Sequence, residues 1–330
     1  MKHARLTLVP AATPAAPLVP IRLMERRPLF LALPEDEPLD LHHTFRCGQT
    51  FRWRLHGDTW YGPYGSGSLA VRRVPGGIEV RAAGLEPPLS EVAAFLGLHV
   101  RLGEVYHRLR GDRWVQAAIH AVPGMRLLRQ DPWECLLNFI CSQNSNIPKI
   151  ERSTERLSRE WGSVHQWEDG VEVASLPTPE VLAALPPDAL GICGLGYRCR
   201  YLVGSAQLIA SGAVPLDALR DYSYAEALDA LLQLPGIGRK VADCILLFSL
   251  DKPQACPVDV WVRRVIHELY PQALASYLPD AALRMSKALT PREYDAIVRF
   301  AGDSWGMLAG YAQQYLFHAR RSQLVKAETL

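Results

Sequence analysis

Lysine is scarce in this chain: only six of its 36 basic residues are Lys and the rest are Arg, so a lysine in an unusual position is informative. No Cys-X-X-Cys pair occurs among Cys47, Cys135, Cys141, Cys193, Cys199, Cys244 and Cys256, and no cysteine lies beyond Cys256. A zinc ribbon and a C-terminal iron–sulfur loop are therefore excluded, and no metal or cofactor is expected. No uncharged apolar run reaches the roughly 18 residues of a membrane helix; the stretch 204–219 is broken by Gly212, Pro215 and Asp217. The net charge of +2 does not by itself announce a nucleic-acid partner, so any such attraction must come from local patches. An odd number of thiols within apolar helical patterns fits a reducing compartment, and a cytoplasmic location is expected. The Ala/Pro-rich start lacks an apolar signal region, so residues 1–27 are read as a flexible leader, with Met24 an alternative start.

What is present reads as α+β, a small N-terminal antiparallel β-sheet domain followed by a mostly α-helical region. With 330 residues, about half of them apolar, the chain suffices for two or three domains. Between Phe45 and Ala82, short β-branched and aromatic runs alternate with Gly, Pro and Asp, and Pro75-Gly76-Gly77 suits a hairpin turn. The period turns helical after Pro88, with Ser90 as N-cap. Strands then largely vanish. Asp131-Pro132 opens a helix ending near Ser142–Asn146, and a second, basic-sided helix runs from about Pro148 to Trp161. We place the sheet domain with its flanking helices at 28–126 and the helical region at 127–330.

Residues 234–264 of the second region hold the chemistry. Ser223 and Glu226 form a capping box for a first helix, which ends at Leu234-Pro235. Gly236 and Gly238 permit a hairpin, and the next helix starts with unpaired amides, including that of Val241, which suit a DNA phosphate. An ordinary helix-packing hairpin explains the same residues. Lys240 sits in the first turn of the second helix, where the dipole disfavours a cation. Either a bound phosphate offsets this, or the amine is partly neutral, as a nucleophile requires. Asp259, after Pro257-Val258, reads on its own as a helix N-cap.

Taken together, the stretch from Leu234 to Val260 resembles the helix-hairpin-helix DNA glycosylases that carry a Gly/Pro-rich loop followed by an aspartate, and among them the 8-oxoguanine DNA glycosylases. The hairpin then spans about 224–250 and the Pro-Val-Asp loop 257–259. The resemblance implies that Lys240 attacks the anomeric carbon, that Asp259 stabilises the developing positive charge, and that a Schiff base leads to strand nicking by β-elimination. Alkylated-base relatives keep the aspartate but lack the lysine. Adenine and pyrimidine relatives usually carry the iron–sulfur loop that is missing here. A non-catalytic DNA-binding module would have no use for Lys240 and Asp259.

The resemblance extends over about residues 40–325. It implies that the Gly48 carbonyl in Gly48–Trp53 accepts N7–H of 8-oxoguanine, a donor that guanine lacks. Gln313 is implied to bind the Watson–Crick edge of the flipped base, with Phe317 and Cys244 against its two faces. Asn144 and Arg198 are implied to contact the orphaned cytosine, beside which Tyr197 inserts as a wedge. Three positions depart from the pattern: Trp261 replaces a histidine usual in eukaryotic members, Arg320 an aspartate, and Lys149 an arginine that reads the opposite cytosine. The expected partner is double-stranded DNA containing 8-oxoguanine, bound by a monomer that is associated with the nucleoid if the source is bacterial or archaeal.

Overall fold

The computed structural model describes residues 28–278 and 288–323, together with the backbone of 21–22. Apart from the two-residue strand β1 (Ile21–Arg22), the leader assigned to 1–27 lies outside the described residues. The main sheet contains β2 (Leu29–Ala32), β3 (Arg54–His56), β4 (Thr59–Tyr64), β5 (Gly67–Val74) and β6 (Gly77–Ala83), in the order β2-β6-β5-β4-β3. Every pairing in it is antiparallel. Each of its three hairpins closes with two residues, and Gly57, Gly65 and Gly76 supply the positive φ that such tight loops require.

One face of the sheet buries Trp60, Leu69, Val71, Ile78 and Val80 against Phe45, Trp53 and Phe95. Its other face packs Tyr61 and Ala70 against Trp167 and Val173. Those two residues belong to a small hairpin of β7 (Val164–Gln166) and β8 (Glu172–Ala174), inside the region where strands were not expected. At three residues each, these strands are too short for an alternation signal, and packing on the sheet holds them. Two further expectations shift. Gln49–Trp53 is loop rather than strand, because the Gln49 side chain bonds the backbone groups that a neighbouring strand would use. Ser90 lies inside its helix, whose N-cap is Pro88.

Fourteen α-helices are described: α1 (Leu41–Arg46), α2 (Leu89–Phe95), α3 (Leu102–Arg108), α4 (Arg113–Ala121), α5 (Pro132–Ser142), α6 (Ile147–Trp161), α7 (Pro179–Ala183), α8 (Arg198–Ala210), α9 (Tyr224–Leu232), α10 (Arg239–Phe248), α11 (Val260–Leu269), α12 (Pro271–Ala275), α13 (Pro291–Trp305) and α14 (Ala309–Arg321). Asp131 caps α5 as its sequence predicts, accepting from the Glu134 amide at 2.8 Å, and residues 135–141 are buried on all sides. Helix α5 is thus the hub of a large helical core, which also draws in Cys47, Phe51, α3 and α4 from the 28–126 segment. All seven cysteines are buried and free. Among the described residues, no helix is long and apolar enough to cross a membrane.

Candidate active site and DNA-facing edge

The hairpin between α9 and α10 is held from behind. Ser223 and Glu226 form the predicted capping box. Asp243, fully buried on α10, accepts from Tyr224 at 2.6 Å and Tyr294 at 2.5 Å, which ties α9, α10 and α13 together. Gly236 has φ 78°, and a Cβ there would come within 2.3 Å of the Tyr201 ring, so only glycine fits. The first helical hydrogen bond of α10 runs from the Ala242 amide to the Gly238 carbonyl, leaving the amides of 239–241 ahead of it without helical partners.

Lys240 and Asp259 meet at one cavity of about 460 Å³. Asp259 is the N-cap of α11, accepting from the amides of Trp261 at 2.9 Å and Val262 at 2.8 Å through one carboxylate oxygen. The Lys240 ammonium lies 5.3 Å from the ring centre of Phe139, on the hub helix. Burial pushes the neighbouring Cys244 thiol up to about 12, against the opposing charge of Lys240, so a neutral sulfur faces the cavity.

The opposite wall comes from far along the chain in both directions. Gly48, at φ 88°, follows α1 in a loop fixed by Gln49, which is fully buried. The Gln49 amide donates to the carbonyls of Thr44 and Arg126, both at 2.8 Å, and accepts from the Leu128 amide at 2.9 Å. Gln314 donates to the Cys47 carbonyl at 2.9 Å, locking that loop to α14. Gln313 and Phe317 of α14 line the cavity, and the Gln313 amide oxygen is buried without a hydrogen-bond partner. Gly48, Cys244, Gln313 and Phe317 therefore share one cavity with Lys240 and Asp259.

The residues expected at the opposite strand lie beside the cavity, on the turn between α5 and α6, the first turn of α6 and the start of α8; none of the four lines it, although the flanking Ser145, Asn146 and Pro148 do. Asn144, at φ 44°, donates to the Tyr197 hydroxyl at 3.2 Å, and Tyr197 is 48 % exposed. Lys149 is exposed in the first turn of α6, its amide bound to the Asn146 cap at 3.0 Å. Arg198 is only 5 % exposed. Its guanidinium donates to the Gln143 carbonyl at 2.9 Å and to those of Leu195 and Asn144, both at 3.1 Å. Gln143 in turn donates to the Gly236 carbonyl at 2.8 Å, which links this edge to the hairpin.

Trp261 also lines the cavity, with the Arg264 guanidinium 5.5 Å from its ring centre. Arg320 donates through Nη2 to both carboxylate oxygens of Glu268, each at 2.7 Å. Among the cavity residues that the sequence did not single out is Arg321, which follows Gln313 and Phe317 at the same four-residue interval on α14. That spacing was the available signal.

Residues 31–136 match the model of the 8-oxoguanine DNA glycosylase N-terminal domain, and residues 137–275 match that of the HhH-GPD superfamily of base excision DNA repair proteins. The N-glycosylase/DNA lyase OGG1 of Arabidopsis thaliana is 33 % identical over 97 % of this chain and 90 % of its own length. The chain belongs to the 8-oxoguanine DNA glycosylase/lyase family. The yeast family member, the N-glycosylase/DNA lyase of Saccharomyces cerevisiae, is 33 % identical over 59 % of this chain and 56 % of its own. Among solved structures, the Clostridium acetobutylicum 8-oxoguanine glycosylase/lyase, bound to double-stranded DNA with cytosine opposite 8-oxoguanine, superimposes with a TM-score of 0.76. The two are 27 % identical, and the match covers 90 % of this chain and 99 % of that one.

Proposed function

We propose that the protein extrudes 8-oxoguanine from duplex DNA, excises it through Lys240 and nicks the strand at the resulting site. The observation that carries this reading is the single cavity lined by Lys240, Asp259, Gly48, Cys244, Gln313 and Phe317. The base enters between the Cys244 sulfur and the Phe317 ring. Gln313, with its unpartnered amide oxygen, takes the Watson–Crick edge, and the Gly48 carbonyl takes N7–H. A buried polar group left without a partner penalises any occupant that cannot satisfy it, which is how a slot of this kind discriminates.

The Lys240 amine attacks C1′, and the electron pair of the C1′–N9 bond leaves with the base, which is then protonated. The Asp259 carboxylate faces the cationic sugar from the wall of the cavity, where an occupying nucleotide displaces water and strengthens such stabilisation. Opening of the sugar ring gives an iminium between Lys240 and C1′. Loss of a C2′ proton then expels the 3′ phosphate and breaks the strand. The amides of 239–241, with Gly236 and Gly238 shaping the turn, hold a backbone phosphate beside the site. Tyr197 fills the gap left by the base, with Asn144 and Lys149 toward the orphaned cytosine, and Arg198 positions this edge from below. Acting as a monomer, the protein works on chromosomal DNA in the cytoplasm.

Borohydride trapping tests this reading on a duplex carrying 8-oxoguanine opposite cytosine. The wild type gives a covalent adduct and Lys240→Gln gives none; an undiminished adduct with Lys240→Gln sinks the mechanism.

A further inference from the structure

Helix α14 presents a stripe of three residues to the cavity, and the proposed function uses only two. Gln313, Phe317 and Arg321 recur at intervals of four and share a face. Arg321, the last residue of the helix, donates through Nη2 to the Arg46 carbonyl at 2.5 Å. Its guanidinium carbon lies 5.2 Å from the ring centre of Phe317. Gly48 stands two residues beyond Arg46, so close that a Cβ there would lie 2.9 Å from Arg321 Nη1 and 3.5 Å from Phe317 Cε1. One side chain thus reaches both the turn that bears Gly48 and the ring that stacks on the base.

Behind this contact lies a second cavity of about 470 Å³, lined by His42, His43, Trp53 and His318 among others. It shares Gly48, Phe51, Ile147 and Arg321 with the base cavity, so these four form the partition between two chambers. Backbone and a packed Phe51 supply the fixed part of that wall. Arg321 is its long, charged member, held at its head by the Arg46 carbonyl.

We propose that Arg321 is a positioning residue for base excision: by joining the Arg46 carbonyl to the Phe317 ring, it fixes the width of the slot beside Gly48 and closes that slot to the second chamber. The inference rests on the base-cavity reading above. A charge-assisted hydrogen bond is directional, and a cation over an aromatic face attracts most where water is excluded. A planar base in a slot widened by about 1 Å loses its alignment with the nucleophile, a misplacement that costs on the order of a hundredfold in rate. An abasic site brings no base to the slot, so nicking there does not call on Arg321.

The test compares single-turnover excision on duplex carrying 8-oxoguanine opposite cytosine with nicking of the same duplex holding a preformed abasic site. Arg321→Ala and Arg321→Met lower the ratio of excision to abasic-site nicking by about tenfold or more, at saturating enzyme as well as below it, and Arg321→Lys recovers part of the loss. Three results overturn the proposal: an unchanged ratio in Arg321→Ala, equal losses on both substrates, or wild-type behaviour of Arg321→Met, which would leave packing alone as the role. Phe317→Ala separates the two levels of inference. If it too leaves excision intact, the base-cavity reading itself fails. If it is defective while Arg321→Ala is not, only the role of Arg321 falls.

Discussion

The wall that faces the extruded base and the edge that faces the opposite strand are both built from helix ends and the turns beside them, yet their polar groups are committed differently. On the base side, buried side chains such as Gln49 and Gln314 spend their hydrogen bonds on the scaffold, and the cavity groups are left to act on a substrate; Gln313 even keeps an unpartnered oxygen. On the opposite-strand side, one of the two groups expected to contact the cytosine is itself scaffold. Arg198 is buried and bonded to three carbonyls, while Tyr197 and Lys149 stand in solvent. One side is a finished pocket, and the other is a braced ledge that acquires its partner from DNA.

The largest effects should come from the base side. Lys240→Gln removes the nucleophile and is expected to lower strand nicking by at least about a thousandfold. Asp259 has two tasks, and two substitutions separate them. Asn caps a helix as well as Asp does, so Asp259→Asn should retain the wild-type melting temperature while excision falls on the order of a hundredfold or more. Asp259→Ala should lose about 1 kcal/mol of stability in addition. Equal melting temperatures for the Asn and Ala variants would show that the cap contributes nothing.

Arg198 probes the other side. Arg198→Met leaves buried carbonyls without donors and is expected to cost roughly 2–4 kcal/mol, read from chemical denaturation. As a brace, its loss should slow excision by the same factor opposite cytosine and opposite adenine. A selective loss opposite cytosine would instead mean that the guanidinium leaves its carbonyls to read the base, and the contrast between the two sides would collapse. Tyr197→Ala should do the reverse, with stability within about 0.5 kcal/mol of wild type and excision down about tenfold.

How much of this was legible in the sequence depended on whether a signal was local. The Ser223–Glu226 box, the Asp131-Pro132 start and the Asp259 cap are written within four residues, and each appears where it was read. The cavity itself is assembled from residues 48–51, 139–150, 240–261 and 313–321, and no periodicity links these segments; only the family resemblance named Gly48, Cys244, Gln313 and Phe317 in advance. The fate of Arg198 was not legible, since nothing nearby announces that carbonyls of a helix end 55 residues earlier will consume its donors. The β7–β8 hairpin was missed for a related reason: Trp167 is buried by a sheet almost a hundred residues upstream.

The smallest expected effect sharpens the comparison through pH. His318 follows Phe317 on α14 and is 3 % exposed, with its Nε2 3.1 Å from Nδ1 of His43. Burial, reinforced by the nearby charges of Arg321, His43 and His42 and opposed by Asp40, pushes its pKa down to about 4. An unfolded histidine titrates near 6.5, so between pH 6.5 and 4 the unfolded chain takes up a proton that the folded one refuses. The stability held by neutral His318 is complete above about pH 6.5 and is lost as the pH falls through that window, by roughly 2 kcal/mol between pH 7 and 5. Denaturation of wild type and His318→Gln at both pH values isolates the contribution, because the carboxylates common to the two proteins cancel. A shallower acid limb in the variant is the expected result. Parallel limbs would mean that His318 takes up its proton as readily in the folded protein as in the unfolded chain, and that the wall behind Phe317 is more open to water than the structure shows.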